Sequence, residues 1–190
     1  MSKGTIIYLG GFELPDKNAA AHRVLGNAKI LRKIGYNVVF IDVDKNLTYK
    51  FEMLKNKKVI QGFECWSVPY PKSKKQWVNY LCNVKPCLFV VSQYIDVKMI
   101  ICYNYQSIAF LRMKKYCKRN NIKIVADCTE WYSIKGTRIN ISFKIIKGID
   151  TFLRMRLIQK HIDGIIVISH YLFEFYKNCM NVICIPPLVD

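Results

Sequence analysis

The stretch TIIYLGGFELPDKNAAAHRVLGNAKILRKIGYNVVFID, residues 5–42, constrains the fold more than any other part of the chain. Thr5 to Leu9 is a short apolar run of the kind that forms a strand buried on both faces. Two glycines follow it. From Asn18 to Ile34 the residues Ala21, Leu25, Ala28 and Leu31 recur three or four apart, the spacing of one helix face. Asp16 or Asn18 can cap the start of that helix, and Gly35 can end it. Val38 to Ile41 is a second apolar run with Asp42 at its C-terminal end. A strand, a helix and a strand in so short a span seed a parallel, doubly wound sheet.

The alternation continues to the end of the chain. Lys45 to Lys58 is polar and basic and is expected to be an exposed excursion. Phe63 to Val68 alternates as a strand, stopped by Pro69 and Pro71. Lys74 to Tyr94 has helical patterning broken or kinked at Pro86. Lys98 to Tyr103 is a strand, and Gln106 to Asn120 an amphipathic helix with Arg112, Lys115 and Arg119 outward. Ile122 to Ala126 is a strand ending at Asp127. Thr137 to His161 contains a long helix, Ile165 to Ile168 a strand, Tyr171 to Lys177 a short helix and Val182 to Ile185 a last strand before Pro186. There is no internal repeat or linker. The pattern predicts a single α/β domain over residues 1–190, Rossmann-like, with a doubly wound, mostly parallel sheet of about seven strands.

Composition narrows the partners. Thirty Lys and Arg against thirteen Asp and Glu give a net charge of +17. Such a surface attracts polyanions, whether nucleic acid, anionic lipid or phosphorylated substrates, without choosing among them. The eight cysteines include no CxxC pair, so neither a zinc site nor a disulfide framework is indicated. Cys102, Cys128 and Cys184 fall in apolar runs, where a thiol acts as a small hydrophobe. No secretory leader precedes the first strand, and reduced thiols in a cytoplasmic protein are expected. No run reaches the length of about 18 apolar residues that a membrane span needs; any membrane contact should be peripheral. Three histidines leave little scope for a metal site or a hydrolase triad.

Parallel sheets bind ligands beyond the carboxyl ends of their strands, which singles out Gly10 and Gly11, Asp42, Asn104, Asp127 to Trp131, and Ser169 with His170. The glycine pair lacks the GxGxxG spacing of a dinucleotide loop and has no following GKS or GKT. It is either a tight turn or a loop able to approach an anion. In IVADCTEWY, Asp127 and Glu130 stand three apart with Trp131 and Tyr132 beside them. Carboxylates there can bind sugar hydroxyls or take the proton of an acceptor hydroxyl, and the aromatic faces can stack on sugar rings. The alternative is loop bracing by Asp127 and a core role for Trp131. Ser169 is a helix cap. Arg23, one turn into the first helix, can reach a phosphate or carboxylate or simply face solvent.

The strand, glycine loop and helix of residues 6–41, together with IVADCTEWY, IDGIIVISHYLFEFYKN and VICIPPLVD, resemble the N-terminal half of a GT-B glycosyltransferase, of the large family of retaining enzymes numbered four. The resemblance spans the whole chain and rests on the order and spacing of its pieces. It implies that Gly10 and Gly11 approach the diphosphate of a nucleotide-sugar donor. It implies catalytic roles for Asp127 and Glu130, where many relatives have His. It implies that Asn18, Arg23, Asn104, Trp131 and Tyr132 border the acceptor and the transferred sugar. No cofactor or metal is implied; the nucleotide-sugar is a substrate.

The same resemblance places most of the donor site, with its basic pair and Glu-x7-Glu motif, in a second Rossmann-like domain that this chain lacks. That domain is expected in the same or a separate chain, and residues 1–190 alone should transfer no sugar from a UDP- or GDP-sugar. Members of the family often act on lipid-linked acceptors in cell-surface polysaccharide synthesis, so the basic residues acquire a use at the inner membrane face. Lys144, Lys147 and Arg154 share one side of the long helix, and Lys114, Lys115, Lys118 and Arg119 form a second cluster. Two other readings stay open. One is a non-catalytic membrane or partner-binding adaptor. The other is a basic nucleic-acid-binding domain, although no helix-turn-helix, zinc-finger or RNP pattern is present.

Overall fold

A computed structural model describes residues 2–48, 57–130 and 141–186. The apolar run β1 (Thr5–Leu9) is buried throughout and lies inside an eight-stranded sheet. On one side it pairs in parallel with β2 (Asn37–Asp44), Ile7 opposite Val39; on the other it pairs in parallel with β5 (Val97–Tyr103), Ile7 opposite Ile100. The order is β3 (Lys57–Ile60), β4 (Phe63–Pro69), β2, β1, β5, β6 (Lys123–Cys128), β7 (Gly164–Val167), β8 (Val182–Cys184). The chain builds outward from β1 in one direction and then, from β5, in the other. The point where the order reverses is where such sheets open a crevice.

Every strand pair is parallel except β3 with β4. β3 is the strand that the sequence pattern presented as an excursion. Its Lys57 and Lys58 are exposed, as suits an edge strand guarded by charge. Gln61 and Gly62 join it to β4, both with positive φ, 49° and 78°. That is the backbone of the two-residue turn whose twist matches a hairpin.

Helices cover both faces. α1 (Ala19–Lys33) is capped by Asn18, whose side chain accepts the Ala21 N–H. Its Ala21, Val24, Leu25 and Ala28 pack with Ile6, Tyr8, Phe40 and Phe63 on one face. On the other face, α3 (Lys85–Val91), α4 (Ser107–Arg119) and α6 (His170–Tyr176) pack over Ile7, Leu9, Val39 and Ile100. The break or kink expected at Pro86 is a full break: α2 (Lys74–Cys82) ends before α3 begins, with Pro86 in the first turn of α3, where its missing N–H is harmless. Ser169 caps α6 through the Leu172 N–H.

The long helix after β6 differs from its expected form. α5 runs Ile141–Phe152, and Leu153–Ile158 then continues as a π-turn. The Gln159 N–H reaches back to Arg154 O. This frees the Met155 carbonyl, which accepts the Tyr176 hydroxyl at 3.1 Å. The wider turn shifts the phase of the side chains. Arg154 points inward, 3% exposed, and donates to Asn104 O at 2.9 Å. It therefore does not face a membrane, which corrects its assignment to the basic outer surface. Ile145, Ile149 and Phe152 are more than half exposed. Residues 137–140 and the side chain of Lys144 lie outside the described residues.

All eight cysteines are free thiols. Cys65, Cys87, Cys102, Cys117 and Cys128 are buried, whereas Cys184 is exposed on the short edge strand β8, contrary to its expected place in the core. Among the described residues no helix is long and apolar enough to cross a membrane.

Candidate functional site

A cavity of about 650 Å³ opens at the carboxyl ends of β1, β2, β5 and β6. Its floor is a set of locked loops. The glycine loop after β1 is held by Asp42 at the end of β2, whose carboxylate accepts the N–H groups of Phe12 (2.8 Å), Glu13 (3.0 Å) and Leu14 (2.7 Å), and of Val43 (2.7 Å). Glu13 adopts φ 55° to aim its neighbours' amides inward, and the peptide bond before Pro15 is cis. Burial raises the Asp42 pKa above its ordinary value, opposed by these four backbone bonds. The N–H groups of Phe12, Glu13 and Leu14 are therefore already satisfied inside the protein.

The two glycines do different things. Gly10 is buried, and a Cβ there would come within 2.8 Å of Phe12 and Tyr103. Its lack of a side chain is explained by packing rather than by ligand approach. Gly11 is exposed and lines the cavity, where a Cβ would find ordinary contact with Val43 and Tyr80.

The two carboxylates at the carboxyl end of β6, Asp127 within the strand and Glu130 just after it, also separate. Asp127 is 0% exposed. Arg23, 5% exposed, pairs with it through Nη2 at 2.8 Å and Nε at 3.1 Å. The Tyr8 hydroxyl donates to its other oxygen, joined by Asn27 Nδ2 at 3.4 Å. Arg23 Nη1 also donates to Ile185 O at 2.8 Å. Burial raises the Asp127 pKa, with the Arg23 charge pulling against it; desolvation likewise raises the Tyr8 phenol. The carboxylate that the sequence offered as catalytic is thus a structural clasp between β6, β1, α1 and the chain after β8. Arg23, offered as a sugar contact, is its partner. Glu130, by contrast, is exposed and lines the cavity.

Asn104 sits at φ 41° and ties β5 to β6. Its Nδ2 donates to Thr129 Oγ1 at 2.8 Å, its Oδ1 accepts the Thr129 N–H at 3.3 Å, and Thr129 Oγ1 donates to the Tyr103 hydroxyl at 3.2 Å. Asn104 and the capping Asn18 both border the cavity. Trp131 and Tyr132 lie outside the described residues. Lys114, Lys115, Lys118 and Arg119 stand on α4, away from this cavity; Lys114 is half-buried and the other three are exposed. Lys147 is exposed on α5. His170 is exposed, 3.7 Å from Glu174. Among the described residues no group of three or more His, Cys, Asp and Glu is placed to hold a metal ion.

One wall of the cavity was not singled out by sequence. Tyr70, just after β4, and Trp77 and Tyr80 on α2 line it together with Asn18 and Glu130. Trp77 meets Tyr70 edge-to-face at 5.5 Å and Tyr80 at 5.9 Å. Burial pushes the Tyr80 phenol up, with a hydrogen bond from Gln106 working against it. Gln106 Oε1 is buried without a partner among the described residues, on a residue that lines the same cavity. The signal available in sequence was two aromatics three apart on one side of a short helix, close after the Tyr70 that follows β4.

No protein-family model matches the sequence, and no curated protein matches it. Among solved structures, the chain is similar to the catalytic domain of starch synthase IV from Arabidopsis thaliana, determined with ADP and acarbose, with TM-score 0.56 and 10% identity. The likeness covers 97% of this chain and 52% of that one, so the chain spans about half the length of its structural neighbour. At this identity the likeness speaks for the fold. The chain has the Rossmann-like α/β fold of one half of a GT-B glycosyltransferase.

Proposed function

We propose that the chain is the acceptor-side, N-terminal half of a glycosyltransferase that moves a sugar from a nucleotide-sugar to a glycan or lipid-linked acceptor. The observation that carries this reading is the cavity at the reversal of strand order, with an unburied carboxylate, Glu130, set in a wall of amides and aromatics. The structural neighbour was determined with a nucleotide and an oligosaccharide analogue, the two ligand classes this reading requires.

In the transfer, the acceptor oxygen forms a bond to the anomeric carbon, the bond from that carbon to the diphosphate breaks, and the nucleoside diphosphate leaves with the electron pair. The acceptor's hydroxyl proton must go to a base. Glu130 is the residue placed to receive it or to orient the hydroxyl. Asp127 is a positioning residue: clasped to Arg23, it fixes the end of β6 and so the start of the segment that carries Glu130. Gly11 leaves backbone open to the donor diphosphate. No cofactor or metal takes part in this scheme. A second Rossmann-like domain, in the same or a separate chain, holds most of the donor.

The test is a transfer assay with UDP-, GDP- and ADP-sugars. Residues 1–190 alone should give no product. Combined with the donor-binding domain encoded downstream or by a companion gene, they should give transfer, and Glu130→Gln should lower that rate by about 10²-fold or more. Turnover by residues 1–190 alone would falsify the split assignment, and full activity in Glu130→Gln would remove that residue's role.

A second reading, a membrane adaptor built on the same domain, is favoured by the exposed apolar face of α5. That adaptor is non-catalytic, but membrane attachment by the same face also suits a transferase whose acceptor is lipid-linked.

A further inference from the structure

We infer that Tyr70, Trp77 and Tyr80 form the platform on which the ring of an acceptor saccharide stacks, so that α2 and the β4–α2 connection determine which sugar is accepted. The inference rests on the transferase reading above and deepens it.

The first observation is that the core does not explain these rings. None of the nine residues of α2 is buried. The helix is held by its ends and one neighbour: Ser73 and Gln76 form a capping box, and Arg112 on α4 donates to the Cys82 carbonyl at 2.5 Å. Trp77 and Tyr80 are half-buried and belong to neither hydrophobic core cluster, so the area they remove from water is not removed by the core. Both are instead set along a concave wall.

The second observation is their geometry. Trp77 lies at 83° to Tyr70 and 85° to Tyr80. Neither neighbour stacks flat on the indole, and together they hold its orientation. Tyr70 is fixed in turn by Lys45, whose Nζ sits 5.5 Å from the ring centroid while pairing with Glu13 at 2.5 Å. An aromatic face carries partial negative charge. The C–H face of a pyranose carries partial positive charge, so the two stack, while the ring's hydroxyls point to the edges.

The third observation is what lies at those edges. Gln106 Oε1 is buried and unpaired among the described residues. Asn18, Asn104 and Glu130 line the same cavity. Aromatic faces sharing a cavity with amides and one carboxylate fit a neutral sugar. The volume of about 650 Å³ falls within the roughly 300–1,000 Å³ of small-molecule sites.

A nucleobase also stacks on aromatics, so the test separates the two. The chain contains three tryptophans, and its 15N-labelled form gives an indole N–H signal for each, Trp77's being assigned with Trp77→Phe. The probes are neutral tetrasaccharides of glucose, galactose and mannose, with sorbitol (hydroxyls but no ring face) and UDP as comparators. At least one tetrasaccharide should shift the Trp77 signal saturably, whereas sorbitol and UDP should leave it in place. Trp77→Ala should weaken that saccharide about tenfold, as loss of one stacking contact implies, and Trp77→Phe should retain most of the affinity. Trp77 is half-buried, so Trp77→Ala should stay folded with a somewhat lower urea midpoint than the parent, and Trp77→Phe should keep the parent's midpoint. If UDP moves Trp77 and no saccharide does, or if no probe moves it, the platform is refuted. Transfer activity in the two-domain enzyme with Trp77 unmoved would overturn the platform alone. Saccharide bound at Trp77 with no transfer in that enzyme would keep the platform and overturn the transferase reading.

Discussion

Asp127 and Glu130 lie three residues apart, and their surroundings give them opposite work. Asp127 and Arg23 exclude water from each other, and removing one partner of a buried pair leaves an uncompensated charge, typically costing about 3–5 kcal/mol. Arg23→Met and Asp127→Asn should each lower the urea-unfolding free energy by that order. The double variant Arg23→Met with Asp127→Leu should lose much less than the sum, a coupling that a double-mutant cycle reads directly. Glu130→Gln should change stability by less than about 0.5 kcal/mol, as an exposed substitution does, while acting on transfer. The carboxylate pair and its place at the end of a strand were legible in sequence. What was not legible is that Arg23 comes back to Asp127 from 104 residues away, because nothing local to either residue records that contact. Thiol reactivity checks the burial pattern independently. Desolvation pushes the Cys65 and Cys117 thiols up to about 12 and Cys87 and Cys128 to about 11, so they should react only on unfolding. A thiol reagent at pH 8 should label Cys179 and Cys184 rapidly in the native protein; fast labelling of Cys65 or Cys102 would contradict the packing described.

At the scale of elements, most of the pattern was legible because buried parallel strands are nearly continuous apolar runs. The two misses have physical causes. β3 carries two lysines in four residues, and an edge strand is stabilised by its partner rather than by its own burial; the Gln61-Gly62 turn was the usable clue. The π-turn in the helix after β6 depends on a carbonyl captured by Tyr176 from a distant helix, which no periodicity encodes. The β3–β4 hairpin also yields a pH prediction. Lys57, first, and then Tyr94 hold the Glu64 carboxyl below its usual value, with Nζ to Oε1 at 2.7 Å and the Tyr94 hydroxyl donating at 2.5 Å. A carboxyl whose folded-state pKa is depressed contributes stability above its unfolded value, and that contribution is lost as pH falls through the folded value. The contribution is small, because Glu64 is more than a third exposed and solvent screens the pair. Glu64→Gln should therefore narrow the gap between urea midpoints at pH 7 and pH 3. An unchanged gap would mean that the pair contributes nothing.

The whole molecule carries +17 and an outward apolar stripe on one helix, and these two features act over different ranges. Charge draws the protein to an anionic surface over about a Debye length, roughly 8 Å at physiological ionic strength, and fades in salt. Ile145, Ile149 and Phe152, 56%, 55% and 55% exposed, act only on contact, and their transfer from water is insensitive to screening. A helix with such a stripe suits the interface between headgroups and acyl chains. Cosedimentation with phosphatidylglycerol vesicles separates the two contributions. Charge reversal at Lys115, Lys118 and Arg119 should weaken binding strongly at 50 mM salt and little at 500 mM. Ile145→Ser with Ile149→Ser should weaken binding at both, by about tenfold or more, since a buried isoleucine contributes roughly 1.5–3 kcal/mol. Their side chains are exposed, so the fold should survive the change, as an unaltered thermal midpoint would confirm. Binding that vanishes at 500 mM salt in the parent would assign the association to charge alone and leave the α5 face to a protein partner. Binding that persists there and is lost in the serine variant would make the membrane surface part of the site, with the cavity at the carboxyl edge of the sheet served by acceptors held in that surface.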